Sequence, residues 1–102
     1  MRLIVLFNLK PGVSVDAYES WARTVDLPTV NGLASVERFE VFRTTGQLGS
    51  AAAPPYAYIE TIDVADMGRF GEEIATKAMI AIAAAFQEMA DVTFLTTEQI
   101  VA

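Results

Sequence analysis

The run Leu3-Ile4-Val5-Leu6-Phe7 is apolar at every position. Successive side chains of a β-strand point to opposite faces of a sheet, so such a strand needs cover above and below. The whole chain is 102 residues long. That is one domain, residues 1–102, with room for only two helical stretches. Two helices cover one face of a four-stranded sheet. The other face then calls for a second sheet, most simply that of an identical chain. Composition agrees: 53% of residues are hydrophobic and mean hydropathy is +0.36. At this size only roughly two-thirds of the unfolded surface is buried on folding. The surplus points to a partner copy, an internal cavity, or both.

Several function classes are disfavoured by composition. The longest nonpolar run, residues 78–86, falls far short of the roughly 20 residues a membrane span needs. Arg2 precedes five apolar residues, but Asn8 and Lys10 end that run too early for a signal peptide. A cytoplasmic protein without membrane contact is expected. Net charge is −6 and the seven basic residues are scattered, which argues against nucleic acid, whose phosphates require clustered Lys and Arg. Cysteine and histidine are both absent. Thiolate nucleophiles, imidazole bases and the commonest metal ligands are thereby removed. No metal and no cofactor is expected.

Beyond the first strand (residues 2–9), Lys10-Pro11-Gly12 signals a turn. Ser14 suits a helix N-cap, with Asp16 in the first turn. Tyr18, Trp21, Ala22 and Val25 form an apolar stripe at helical spacing. Pro28 biases Leu27 away from helical angles, so this helix is expected to end near Asp26. A second strand follows over about residues 35–45, with Glu37, Phe39, Val41 and Arg43 on one side and Val36, Arg38, Glu40 and Phe42 on the other. Residues 46–55, rich in glycine, alanine and proline, read as a loop. The third strand covers 56–62. Asp63 or a neighbour, with Asp66, begins a long helical segment whose face carries Met67, Phe70, Ile74, Ala78, Ile82, Ala85, Phe86 and Met89. Gly68 and Gly71 predict a kink or a separate short helix at its start. A last strand covers about 92–101. The order βαββαβ is the α+β, ferredoxin-like arrangement: a four-stranded antiparallel sheet with two helices on one face.

Tyr18-Glu19-Ser20-Trp21, Asp26-Leu27-Pro28 and the segment Ser35-Val36-Glu37-Arg38-Phe39-Glu40-Val41-Phe42-Arg43 resemble the HapK/RedY-like family. The broader pattern, with Leu33 and Val36, resembles the dimeric α+β barrel superfamily, including EthD-like and antibiotic-monooxygenase proteins. The resemblance implies a homodimer whose sheets pack face to face, with a cavity for an apolar or aromatic small molecule between each sheet and its helices. Where the EthD-like pattern has histidine, this chain has Asp26, so chemistry resting on an imidazole there does not transfer.

Asp26, Tyr58 and Glu60 are the candidate catalytic residues. Asp26 stands near a helix C-terminus, where the dipole disfavours a carboxylate. Arg23, the following turn or a ligand could offset that, and burial beside Trp21 would raise its pKa into the range useful for proton transfer. The plainer reading is an exposed turn aspartate. Glu60 interrupts an apolar strand, and Arg38 and Arg43 are its natural ion-pair partners. Asn8, Tyr18, Trp21, Arg38, Arg43, Met67 and Phe70 are candidate ligand-binding residues, with core packing the plainer role for the aromatic and methionine side chains. Two functional classes follow. One is a cofactor-independent tailoring enzyme (oxygenase, isomerase or cyclase) of secondary metabolism or aromatic degradation. The other is a non-catalytic small-molecule-binding or interaction module.

Overall fold

The computed structural model describes all residues, Met1–Ala102. Strand β1 (Arg2–Leu9) is followed by helix α1 (Val15–Trp21), a π-helical turn (Ala22–Asp26) and helix α2 (Leu27–Asn31). Then come β2 (Val36–Arg43), β3 (Tyr58–Val64), α3 (Met67–Ile74), α4 (Lys77–Met89) and β4 (Ala90–Thr96). The four strands form one sheet in the order β2-β3-β1-β4, and every neighbouring pair is antiparallel. This is the ferredoxin-like βαββαβ topology, with each helical half subdivided.

The apolar run of β1 is divided between the faces. Leu3, Val5 and Phe7 are buried, while Ile4 and Leu6 on the other side are only half-covered. Phe7 is the hub of the core. Its ring stacks on Tyr58 at 5.0 Å and meets Tyr18 and Phe86 edge-on at 5.4 and 4.9 Å. Tyr58, Ile62 and Val64 continue this face on β3, and Tyr18, Val30, Met79 and Phe86 come down on it from the helices. The opposite face carries Ile4, Leu6, Phe42, Ile59 and Leu95, with no element of the chain over it; Phe42 and Leu95 are exposed.

Several expected boundaries move. Ser14 caps α1 as expected, its Oγ accepting from the Ala17 N–H at 3.1 Å. The helical path does not stop near Asp26, however, but runs on to Asn31. Pro28 has no N–H and its ring crowds the carbonyl four residues back. The π turn, in which the Leu27 N–H bonds to the Ala22 carbonyl, accommodates this, and Pro28 then sits in the first turn of α2. In β2, a bulge between Val36 and Arg38 puts Val36 on the same buried face as Phe39. Strict alternation had assigned them opposite faces. The separate short helix expected at the start of the last helical segment is present as α3, and the break that sets it off lies at Ala75-Thr76. Asp66 caps α3 and Thr76 caps α4. The break resets the helical phase, so Met79 is buried whereas Met67 and Ile74 are exposed. No helix is long and apolar enough to cross a membrane.

Candidate functional site

The π turn determines which residue of the first helical stretch faces the sheet. Tyr18, Ala22, Asp26 and Val30 are the buried positions, one every four residues. On an ideal α-helix each step of four overshoots a turn by about 40°, and the stripe would drift toward Val25. The wider turn absorbs the drift, leaving Val25 36% exposed and Asp26 only 4% exposed. A carboxyl thus occupies a core position, and it accepts no hydrogen bond from the chain.

Glu60 lies on the helix-covered face of β3, paired with Val5 and Val41 and 2% exposed. Its Oε2 has no hydrogen-bond partner in the protein, nor does the buried hydroxyl of Tyr18. Burial pushes Asp26 up to about 6. Burial, together with the nearby charge of Asp26, pushes Glu60 up to about 8. Tyr18 is raised first by burial and then by Glu60 and Asp26, so its phenol stays neutral. The expected ion pair of Glu60 with Arg38 or Arg43 does not form. Arg38 points to the opposite sheet face and pairs with Glu40. Arg43 shares the face of Glu60 but turns to α1.

There Arg43 makes a bidentate pair with Glu19, Nε and Nη2 each 2.7 Å from a carboxylate oxygen. The same carboxylate accepts from the Tyr58 hydroxyl at 2.8 Å and from Arg23 at 3.1 Å. These bonds, Arg43 first and Tyr58 second, hold Glu19 down to about 2. Tyr58 is pushed up to about 12 by burial and by its bond to Glu19. Glu19, Arg23 and Arg43 line a pocket of about 160 Å³ together with Tyr58, and Ala22, Leu27 and Val41 supply apolar wall. Tyr18 belongs to both groups: its side chain lines the pocket, and its hydroxyl lies in the field of the buried carboxyls.

Asp26, Glu60 and Tyr18 are thus all buried and within electrostatic reach of one another, while Tyr58 and Arg43 line the pocket that Tyr18 also borders. Trp21 packs behind them, stacked on Phe86 at 6.1 Å. The remaining candidates lie elsewhere. Asn8 anchors the loop before β3, donating to the Pro55 carbonyl at 3.1 Å and accepting from the Ala57 N–H at 2.8 Å. Met67 begins α3 and is exposed, and Phe70 packs on the core; neither lines the pocket. Sequence reasoning missed Glu19 as a site residue. The Glu19–Arg23 spacing of four was legible, but that spacing ordinarily marks a solvated helix face.

Residues 1–100 match the family model described as "REDY-like protein HapK". Among solved structures, HapK from Hahella chejuensis is 34% identical, with a TM-score of 0.77 over 100% of this chain and 95% of that one. At3g17210 from Arabidopsis thaliana is 19% identical, with a TM-score of 0.79 over 99% and 97% of the two chains. SnoaB from Streptomyces nogalater, described as a cofactor-independent oxygenase, is 15% identical with a TM-score of 0.65 over 98% and 94%. At those identities the last two share the fold. No curated protein matches the chain.

Proposed function

The chain belongs to the HapK, REDY-like family, and from that premise we propose that it is a cofactor-independent proton-transfer enzyme for an apolar or aromatic small molecule. The observation that carries this reading is Asp26 and Glu60, two buried carboxyls without a donor from the chain, the charge of the first acting on the second. Unpaired buried carboxyls are costly. Stability gives no reason to keep two of them, whereas a site that moves protons needs groups whose pKa values straddle neutrality.

Near pH 7 the pair holds one proton, mostly on Glu60. Asp26 is then the base and Glu60 the acid or hydrogen-bond donor. Tyr18, neutral throughout, can accept a proton from one side while passing its own to the other. Deprotonation of an enclosed substrate is the step shared by isomerisation, cyclisation and reaction of a carbanion with oxygen. A parallel with SnoaB in chemistry as well as fold belongs to this proposal.

The reading includes a homodimer formed through the open sheet face. The chain exposes 6632 Å², whereas a compact monomer of this mass exposes about 5,650 Å². The excess of about 1,000 Å² resembles one partner's share of a standard interface, about 800 Å². The uncovered face and the extended residues 97–102 are its visible sources. The radius of gyration, 14.5 Å, likewise exceeds the roughly 13 Å of a compact chain of this length.

The test is turnover and binding with indolic, pyrrolic and quinol compounds, using wild type and Asp26→Asn. Loss of turnover of at least about 100-fold with ligand affinity retained supports the proposal. Saturable binding with no turnover by wild type would instead identify a non-catalytic binding module.

A further inference from the structure

The pocket beside Tyr18 is electrically polarised. In a chain of net charge −6 with seven basic residues, two of the seven, Arg23 and Arg43, stand at this one opening. Glu19 neutralises one of them, which leaves a local excess of one positive charge. Glu19 is also the inner member of the group: its side chain is 12% exposed, against 66% for Arg23 and 56% for Arg43. The guanidinium edges therefore face the mouth with donors to spare. Arg23 uses a single N–H on Glu19, and Arg43 uses only Nε and one terminal nitrogen. A guanidinium carries five N–H donors in a fork that matches a carboxylate. The protein itself already places a carboxylate there, that of Glu19, and grips it in bidentate fashion.

Behind the mouth the walls are apolar and aromatic (Tyr18, Ala22, Leu27, Val41, Tyr58). A closed cavity near 150 Å³ accepts benzene, and this pocket, about 160 Å³ and open on its solvent side, is of comparable size. Deeper in, the charge of Asp26 reaches Tyr18 and disfavours an anion there. We propose that the pocket takes an aromatic acid whose ring lies against Leu27 and Val41 and whose carboxylate is held at the mouth by Arg23 and Arg43. This rests on the aromatic small-molecule reading of the preceding subsection and narrows it: the substrate enters ring first, with its anionic group outermost. Arg23 and Arg43 are then specificity-determining residues, and Glu19 is a built-in competitor for their charge.

Benzoate and methyl benzoate, alike in ring but not in charge, test this by titration of isotopically labelled protein at pH 7 and low salt. The expected result is a chemical-shift response centred on Ala22 and Val41, with benzoate binding at least fivefold more tightly than the ester. Raising salt should erode that preference, since it is electrostatic. Arg23→Ala, a change at an exposed side chain that leaves the fold intact, should reduce the preference to within twofold. Glu19→Gln should raise benzoate affinity about threefold or more; a merely structural Glu19 would lower it or leave it unchanged. Equal binding of acid and ester, or an Arg23→Ala protein that keeps the full preference, overturns the inference and leaves the pocket standing. Binding of neither probe overturns the inference and the pocket reading together.

Discussion

Asp26, on the inner side of a π turn, and Glu60, at the centre of β3, stand close enough that the charge of the first opposes ionisation of the second. Neither carboxyl receives a hydrogen bond from the chain. Each is raised in pKa chiefly by burial, and that sets the sign of several measurable effects.

A carboxyl raised in the native state holds its proton more tightly there than in the unfolded chain. Its protonation stabilises the fold fully below the unfolded pKa, and that stability is lost as pH rises through the folded value. For Glu60 the window runs from 4.5 to about 8. Glu60→Gln should therefore remove much of the decline in stability between pH 5 and pH 8. At pH 8 the variant should exceed wild type by on the order of 3 kcal/mol in urea denaturation. An unchanged pH profile would mean that Glu60 is solvated.

The Tyr18 hydroxyl is buried without a partner, while its ring packs on Phe7 and Tyr58. Tyr18→Phe keeps the packing and deletes the unsatisfied group. Thermal and chemical denaturation should find the variant equal to wild type or more stable by about 1 kcal/mol. Turnover should nevertheless fall. A destabilised variant would indicate that the hydroxyl is bonded in the fold.

If Asp26 is the base, kcat/KM of the wild type should rise with pH through an acid limb near 6, the value to which burial brings this carboxyl. Asp26→Asn should abolish that limb along with the rate. An acid limb that persists in Asp26→Asn would assign it to another group.

Asn31 closes the outer edge of the sheet. Its amide donates to the Phe39 carbonyl at 3.0 Å and accepts from the Phe39 N–H at 2.9 Å, standing in for a further strand beside β2. Asn31→Ala should cost about 3 kcal/mol: these two bonds and the one its amide donates to the Leu27 carbonyl, at roughly 1 kcal/mol each. Hydrogen exchange at Phe39 should accelerate.

Leu6 lies in the middle of the open face, opposite Ile59 and Thr93. Leu6→Glu should convert a dimer to a folded monomer in sedimentation at micromolar concentration. A wild-type protein that sediments as a single subunit would remove the basis for the dimer.

Much of the fold was legible in one dimension because local patterns enforce it. The both-sided apolar run of β1, the Ser14 cap and the order of elements each follow from side-chain alternation, capping chemistry or helical spacing. The burial of Asp26 was legible only as one alternative beside an exposed turn. Pro28 was read as a terminator because proline breaks the α-helical bond pattern, and the sequence contains no sign that the backbone would widen into a π turn and continue. That turn exchanged Val25 for Asp26 on the buried face. Glu60 could be seen as a polar interruption, but the direction it faced could not, since alternation gives the spacing of a strand's two faces and not which one the helices cover. Glu19 had no visible role in the sequence; β2 and β3 bring Arg43 and Tyr58 to it from 24 and 39 residues away. Residue spacing along the chain thus determined the scaffold, because periodicity is local. Only the packing of distant segments decided the site, because burial and charge proximity are properties of three-dimensional neighbours.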